Sequence, residues 1–303
     1  MSPTPQRPPT APTDPTDLLR GILDLTPAEP DPATGAPRFT GTTPPQALGR
    51  VFGGQVLAQA LAAAGRTAPA DRPAHSLHAY FVRPGDALAP ITFTVDPLRD
   101  GRSFSVRQVS ASQEGRTILS LTCSFQQAAE GVDHHEPMPA DVPGPEELPS
   151  AADLLGGIDH PVAQETAWSR PFDIRHVTPA VYVRPDEHRR SRNMVWMRTF
   201  SPLADDPHLH RSALTYASDY TLLEPVLRRH GLAWTHPGMS VASLDHAMWF
   251  HRPARADEWL LYVQESPSAQ GARGLGLGRV FTRDGHLVAT VAQEGMIRTA
   301  PGV

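Results

Sequence analysis

Two stretches of the chain carry apolar residues at helical spacing, and each is followed by runs in which apolar and polar residues alternate. Residues 53–64 (GGQVLAQALAAA) are apolar almost all round and close on Gly65, which predicts a helix buried on all sides. Residues 218–227 (SDYTLLEPVL) predict a second helix that closes near Gly231. A glycine that ends a helix commonly takes the left-handed conformation, and both are expected to do so. The alternating runs are residues 91–95, 105–109 and 118–122 in the first half, and 259–263, 275–277 and 287–291 in the second. Glu114-Gly115 and Asp284-Gly285 each separate two such runs, a hairpin signal. Residues 17–23 (DLLRGIL) add a short amphipathic helix ahead of both sets.

The two sets are copies of one another. HAYFVRP at residues 78–84 answers HAMWFHRP at residues 246–253, with Phe81 and Phe250 lying 169 positions apart. Gly115 and Gly285 are 170 apart, so the register drifts by one residue. A helix followed by an antiparallel meander buries both partners when the curved sheet wraps its helix. The expected class is therefore α+β, a double hotdog, with the two sheets joined in one layer and both helices inside. Pro- and Thr-rich residues 1–16 read as a disordered tail, 17–130 as the first repeat, 131–164 as a Pro-rich linker and 165–303 as the second repeat.

Composition narrows the chemistry. Hydrophobic residues at 40% and charged residues at 19% describe an ordinary globular chain. No run approaches the roughly 20 apolar residues of a membrane span, and the first residues lack the apolar core of a secretory signal. The final Ala300-Pro301-Gly302-Val303 carries no peroxisomal or ER address. A single cysteine, Cys123, cannot form an internal disulfide, so a cytoplasmic setting is expected. A net charge of −5 offers no basic field to nucleic acid. All 27 Lys+Arg residues are Arg. Without lysine the chain cannot make a pyridoxal Schiff base or supply a P-loop lysine. No cofactor, metal, nucleic acid or membrane partner is expected. There is no G-x-S-x-G elbow for a serine nucleophile, and Cys123 in an alternating run reads as a buried, inert thiol. His134-His135 and His208-Leu209-His210 read as loop histidines without a ligand set. Residues 271–278 (GARGLGLG) lack dinucleotide-loop spacing and read as a flexible turn entering a strand.

Five blocks, in order, carry a resemblance: VFGGQV at 51–56, HSLHAYFVRPG at 75–85, RDGRSF at 99–104, DHAMWFHRP at 245–253 and QEGMIR at 293–298. Together they make the chain similar to the acyl-CoA thioesterase II (TesB-like) family over nearly its whole length after the tail. That family works with an Asp, a Thr or Ser, and a Gln from the second repeat. The resemblance places them at Asp219, in the first turns of the second helix, at Ser243 just before Asp245-His246, and at Gln293. Serine in place of threonine keeps the hydroxyl and loses one methyl. The implied activity is hydrolysis of acyl-CoA to free acid and CoA, and the implied assembly is a homo-oligomer.

The three groups suit the reaction. Asp219 is the one member able to accept a proton while ionised, and Ser243 and Gln293 can hold a water in line. A carboxylate at a helix start would be stabilised as the anion. Backbone N–H groups at Gly53, Gly54 and Gln55 are candidates for the oxyanion, and His75 joins them as a substrate contact. Each residue has a plainer reading: Asp219 as a helix cap, Ser243 and Gln293 as ordinary strand positions, His75 and His78 as structural hydrogen-bond partners, Asp245-His246 as support for Ser243. The repeat offsets pair Ser243 with Ala74 and Gln293 with Cys123, so one working site per chain is expected. A hotdog hydratase or dehydratase centred on His78 or His246, and a non-catalytic acyl-CoA binding protein, are the rival readings.

Overall fold

The computed structural model describes residues 5–300. Along the chain come α1 (Thr16–Leu23), β1 (Thr26–Ala28), β2 (Arg38–Gly41), α2 (Gly53–Gly65), β3 (Ala74–Phe81), β4 (Ile91–Asp100), β5 (Phe104–Gln113) and β6 (Arg116–Gln126). A 3-10 turn (Pro145–Glu147), α3 (Ala151–Leu155) and α4 (Pro161–Trp168) follow. The second half holds β7 (Phe172–His176), β8 (Arg192–Thr199), α5 (Pro207–Ser218), α6 (Glu224–Arg229), β9 (Ser240–Ser243), β10 (Asp245–Phe250), β11 (Leu260–Gln270), β12 (Arg273–Thr282) and β13 (Leu287–Arg298).

Among the described residues these strands form one sheet, ordered β1-β2-β4-β5-β6-β3-β10-β13-β12-β11-β8-β7, with β9 paired to β13. The halves meet where β3 runs antiparallel to β10, with Asp245 opposite Tyr80 and Trp249 opposite Ser76. Shifting Ser76 and Tyr80 by 169 gives Asp245 and Trp249, so the joint maps onto itself. His78 opposite Ala247 therefore lies on a pseudo-twofold axis. The tight β5–β6 turn has both Glu114 and Gly115 at positive φ (49° and 74°), the conformation a two-residue hairpin loop requires.

Helices α2 and α5 pack against each other and, with the apolar face of the sheet, share one core. They run antiparallel, since the start of α2 meets the end of α5. A Cβ on Gly54 would lie 2.4 Å from the Tyr216 carbonyl oxygen, and one on Gly65 would lie 3.1 Å from the His208 ring. Alanines 58, 60, 63 and 64 of α2 are buried, and such small side chains let helices approach closely.

Four expectations need correction. The second central helix is α5, not residues 218–227. Asp206 caps its start by accepting from the His208 N–H at 2.8 Å, and Pro207 occupies the first turn. His208 and His210 are therefore helical rather than loop residues. Pro225 cannot continue a helix begun at Ser218, so the chain turns at residues 219–223 and restarts as the short α6. Gly231 after α6 is left-handed (φ 65°), as expected, but Gly65 is the last helical residue of α2 and is not. Its missing side chain makes room for His208. Residues 273–278 are not a turn but the start of β12. Gly274 and Gly276 are bare because α6 and its approach press on them, and a Cβ on Gly276 would lie 2.3 Å from the Leu222 carbonyl oxygen.

The 131–164 segment is a packed strap. Arg283 makes a forked ion pair with Glu146 (2.8 and 3.0 Å), and Trp196 donates to the Pro143 carbonyl at 2.9 Å. Met138, Val142 and Leu148 cover a small outer core of Trp196, Trp259, Leu261 and Phe281. The boundary at 165 falls within α4, and the strands of the second repeat begin at Phe172. In the tail, residues 1–4 lie outside the described residues, as do 301–303. Its far end is fixed: Thr16 is fully buried and its hydroxyl accepts from the N–H groups of Phe200 and Ser201.

Candidate active site

Three separate elements bring Asp219, Ser243 and Gln293 together. Asp219 caps the C-terminal end of α5, Ser243 ends β9, and Gln293 lies within β13. The β9–β13 ladder, with Ser243 opposite Gly295, puts the serine beside the Gln293 side chain. The Gln293 amide nitrogen donates to Asp219 Oδ1 at 2.8 Å and to Ser243 Oγ at 2.8 Å. The Ser243 hydroxyl donates to the same Asp219 oxygen at 3.2 Å. Gln293 is 1% exposed, so bulk solvent does not compete for its amide with these partners.

The electrostatics differ from the expectation. Asp219 stands at the C-terminal end of its own helix, where the dipole disfavours an anion. The start of α2 faces it from across the helix pair, with the Gly54 backbone N–H turned on the carboxylate. Burial raises the carboxyl to about 6, against the lowering effect of Gln293, Ser243 and Gly54. An acid at that value is mostly ionised at neutral pH yet readily takes a proton, the balance a general base needs.

The remaining expected residues divide. Gly53 and Gly54 lie at the site, and a Cβ on Gly53 would fall 2.7 Å from Asp219 Oδ2 and 3.1 Å from the Phe81 ring. Gln55 turns away. Its N–H bonds the Phe52 carbonyl (3.1 Å), and its side chain donates to Thr43 Oγ1 (2.9 Å). His75 is not part of this group: its Nε2 lies 2.8 Å from Ser124 Oγ and its ring meets Phe104 edge-on. The end of β3 that reaches the site is Phe81, bonded to the Leu244 carbonyl, and six residues of strand separate the two by about 20 Å.

Aromatic neighbours to which the sequence reading gave no role, and His246, which it read as support for Ser243 or as a rival centre, complete the setting. Phe52 stacks on Tyr220 (4.7 Å between centroids) and meets Tyr216 edge-on, which gives the start of α2 an aromatic wall. His246, in β10 alongside β13, holds the other end of the Gln293 amide. A surface groove of about 880 Å³, lined by Arg198, Arg252, Trp259 and Arg283, does not include these residues. Among the described residues no cluster of His, Cys, Asp and Glu has metal-binding form, and no helix is long and apolar enough to cross a membrane.

Two helices enclosed by one continuous antiparallel sheet, with a carboxylate–hydroxyl–amide cluster where one helix ends and the other begins, define a double hotdog protein with a candidate acid–base site. Residues 40–126 match the acyl-CoA thioesterase N-terminal domain model, and residues 171–296 match the acyl-CoA thioesterase model. The chain is 38% identical to acyl-CoA thioesterase 2 of Haemophilus influenzae, over 86% of this chain and 92% of that one. It is also 38% identical to human acyl-coenzyme A thioesterase 8, over 94% and 90%. Among solved structures, acyl-CoA thioesterase II TesB2 of Mycobacterium marinum superposes with a TM-score of 0.74 at 42% identity, covering 94% of this chain and 98% of that one. The chain belongs to the acyl-CoA thioesterase family.

Proposed function

We propose that this protein hydrolyses acyl-CoA thioesters to a free acid and CoA, with Asp219 as the base that activates water and Ser243 and Gln293 as the groups that orient it. The observation that carries this reading is the contact of all three side chains within 3.2 Å of one another. A water bonded to that triangle gives its proton to Asp219 as its oxygen attacks the thioester carbonyl carbon. The carbonyl π electrons move to oxygen, and the N–H of Gly53, a first-turn donor with no intrahelical acceptor, faces that charge. Collapse breaks the C–S bond, and the CoA sulfur leaves with the proton held by Asp219. No covalent nucleophile is needed. Burial pushes the Cys123 thiol well up, so no thiolate competes for that role.

The histidine-centred rivals fare worse. His246 has Gln293 on one ring nitrogen and Ser218 on the other, no carboxylate partner, and a pKa lowered by burial to about 4. His78 lies exposed against Trp249, on a residue of the axis between halves. One working site per chain fits the register as well. Leu77 opposite Cys123 stands where the second repeat has His246 and Gln293, and Arg66 caps α2 where Asp219 caps α5. Residence in the cytoplasm and a homo-oligomer complete the proposal, supported by the one buried free cysteine and by the exposed Tyr80 and Trp249 along the β3–β10 joint.

Release of free thiol from acyl-CoAs of graded length tests the reaction. Since the base must be ionised, kcat/KM is expected to rise with pH through an apparent pKa near 6 and to level above it. Enoyl–hydroxyacyl interconversion without thiol release would reject hydrolysis. A second expectation concerns the start of α2. Gly53→Ala drives a methyl against Asp219 Oδ2, so kcat should fall by about 10-fold or more while the thermal midpoint changes little. An Ala variant with wild-type kcat would show that the carboxylate need not stay where it is.

A further inference from the structure

We propose that His246, itself held by Ser218, is a positioning residue that fixes the Gln293 amide for the proposed reaction. The inference rests on the reading of Asp219, Ser243 and Gln293 given above and adds a second layer behind it. Gln293 uses its amide nitrogen twice, on Asp219 and on Ser243. Its Oε1 must then accept, and the contact at that oxygen is His246 Nδ1. Nδ1 therefore carries the hydrogen. In that tautomer Nε2 is an acceptor facing the Ser218 hydroxyl at 2.9 Å, whose one hydrogen is shared between this nitrogen and the Thr215 carbonyl at 2.8 Å. Ser218 is fully buried, His246 and Gln293 are each 1% exposed, and no solvent competes along this line. Ser218 immediately precedes Asp219, so the line begins and ends at the base: Ser218, His246, Gln293, Asp219.

The first repeat shows what the arrangement replaces. Leu77 faces Cys123 in the β3–β6 ladder. The equivalent β10–β13 ladder, with Ala247 opposite Ala292, brings His246 opposite Gln293 at its next step. Where the amide is absent, so is the histidine. The first repeat carries a buried leucine at the equivalent strand position, so His246→Leu is the apolar variant expected to fold. Removing the donor leaves Gln293 Oε1 buried without a partner, and the amide shifts away from the carboxylate to find one.

The test is a set of four variants measured for kcat, KM and pH dependence. His246→Leu should lower kcat by about 30- to 100-fold with KM within about twofold. Its acid limb should move to higher pH, because Asp219 loses a donor that lowers its pKa. His246→Asn, whose amide nitrogen sits near the Nδ1 position, should recover kcat to within about fivefold of wild type. The double variant His246→Leu/Gln293→Leu should be no slower than Gln293→Leu alone, as expected when one residue acts through the other. An unshifted acid limb in a folded His246→Leu, an Asn variant no better than Leu, or additive losses in the double variant would overturn the inference. If Gln293→Leu itself keeps wild-type kcat, it is the underlying assignment of the three polar groups that fails.

Discussion

Asp219→Asn is expected to lower kcat by about 10²- to 10⁴-fold while KM and the fold stay near wild type, since the change keeps the shape and removes the proton acceptor. The same substitution should alter how stability depends on pH. A carboxyl raised to about 6 in the folded chain, against roughly 3.9 when unfolded, binds its proton more tightly in the native state. Its contribution is most favourable below pH 4 and is lost as pH rises through 6, so ionised Asp219 costs the fold on the order of 2–3 kcal/mol at pH 7. Denaturant unfolding of both proteins at pH 4.5 and 7.5 measures this. Wild type should lose stability relative to the Asn variant as pH rises between them. A full-speed Asn variant would remove Asp219 from the mechanism. A pH-independent gap would show that the carboxyl is not perturbed.

Those expectations depend on where Asp219 sits, and that was the least legible part of the sequence. The duplication could be read directly, because the 169-residue offset links Phe81 to Phe250 and the same offset maps the β3–β10 joint onto itself. The hairpins were equally plain, since Glu114-Gly115 is a pair that accepts positive φ. Helix α5 was hidden by its polar content: His210, Ser212, Thr215 and Ser218 are all buried. The Thr215 and Ser218 hydroxyls donate to carbonyls within the helix and His210 Nδ1 accepts from the Ala256 N–H, while His210 Nε2 has no partner among the described residues. A hydrophobic pattern cannot mark such a helix, whereas the Asp206-Pro207 cap could have done so. Displacing the helix by about one element placed Asp219 at a helix start instead of a helix end, and the dipole argument acquired the wrong sign. The family pattern still named three residues whose side chains are in contact, because that pattern follows sequence blocks rather than helix boundaries. His75 and Gln55 sit within the same blocks for other reasons, one bonding Ser124 and the other Thr43. Block membership alone could not separate them from Gly53 and Gly54.

The turn that carries Asp219 is held from below by a buried charged cluster, and breaking it should have the largest effect on stability of any single change away from the site. Glu224 is fully buried, with His176 Nε2 at 3.1 Å, Asn193 Nδ2 at 3.0 Å and Trp234 Nε1 at 3.3 Å. Burial alone would raise its carboxyl. His176, Arg228 and Trp234 outweigh that and hold it below the ordinary value. Asn193 passes the contact to Gln264 (2.8 Å), and Gln264 donates to Thr221 Oγ1 at 2.7 Å, two residues from Asp219. Glu224→Ala leaves the fully buried Arg228 with Asp186 as its remaining acidic partner, and strips one acceptor from each of His176, Asn193 and Trp234. Losing one member of such a cluster costs about 3–5 kcal/mol. The urea midpoint should drop accordingly, and kcat should fall with it even in buffer, because Thr221 loses its fixed partner and the 219–223 turn loosens. Glu224→Gln keeps volume and one acceptor and should lie between the two. Equal midpoints for Ala and wild type would mean that the cluster contributes nothing to holding the turn. A large stability loss with unchanged kcat would mean that the turn is fixed by Leu222 and Leu223 against β12 and β13 instead, where Gly276 and Gly295 leave them room.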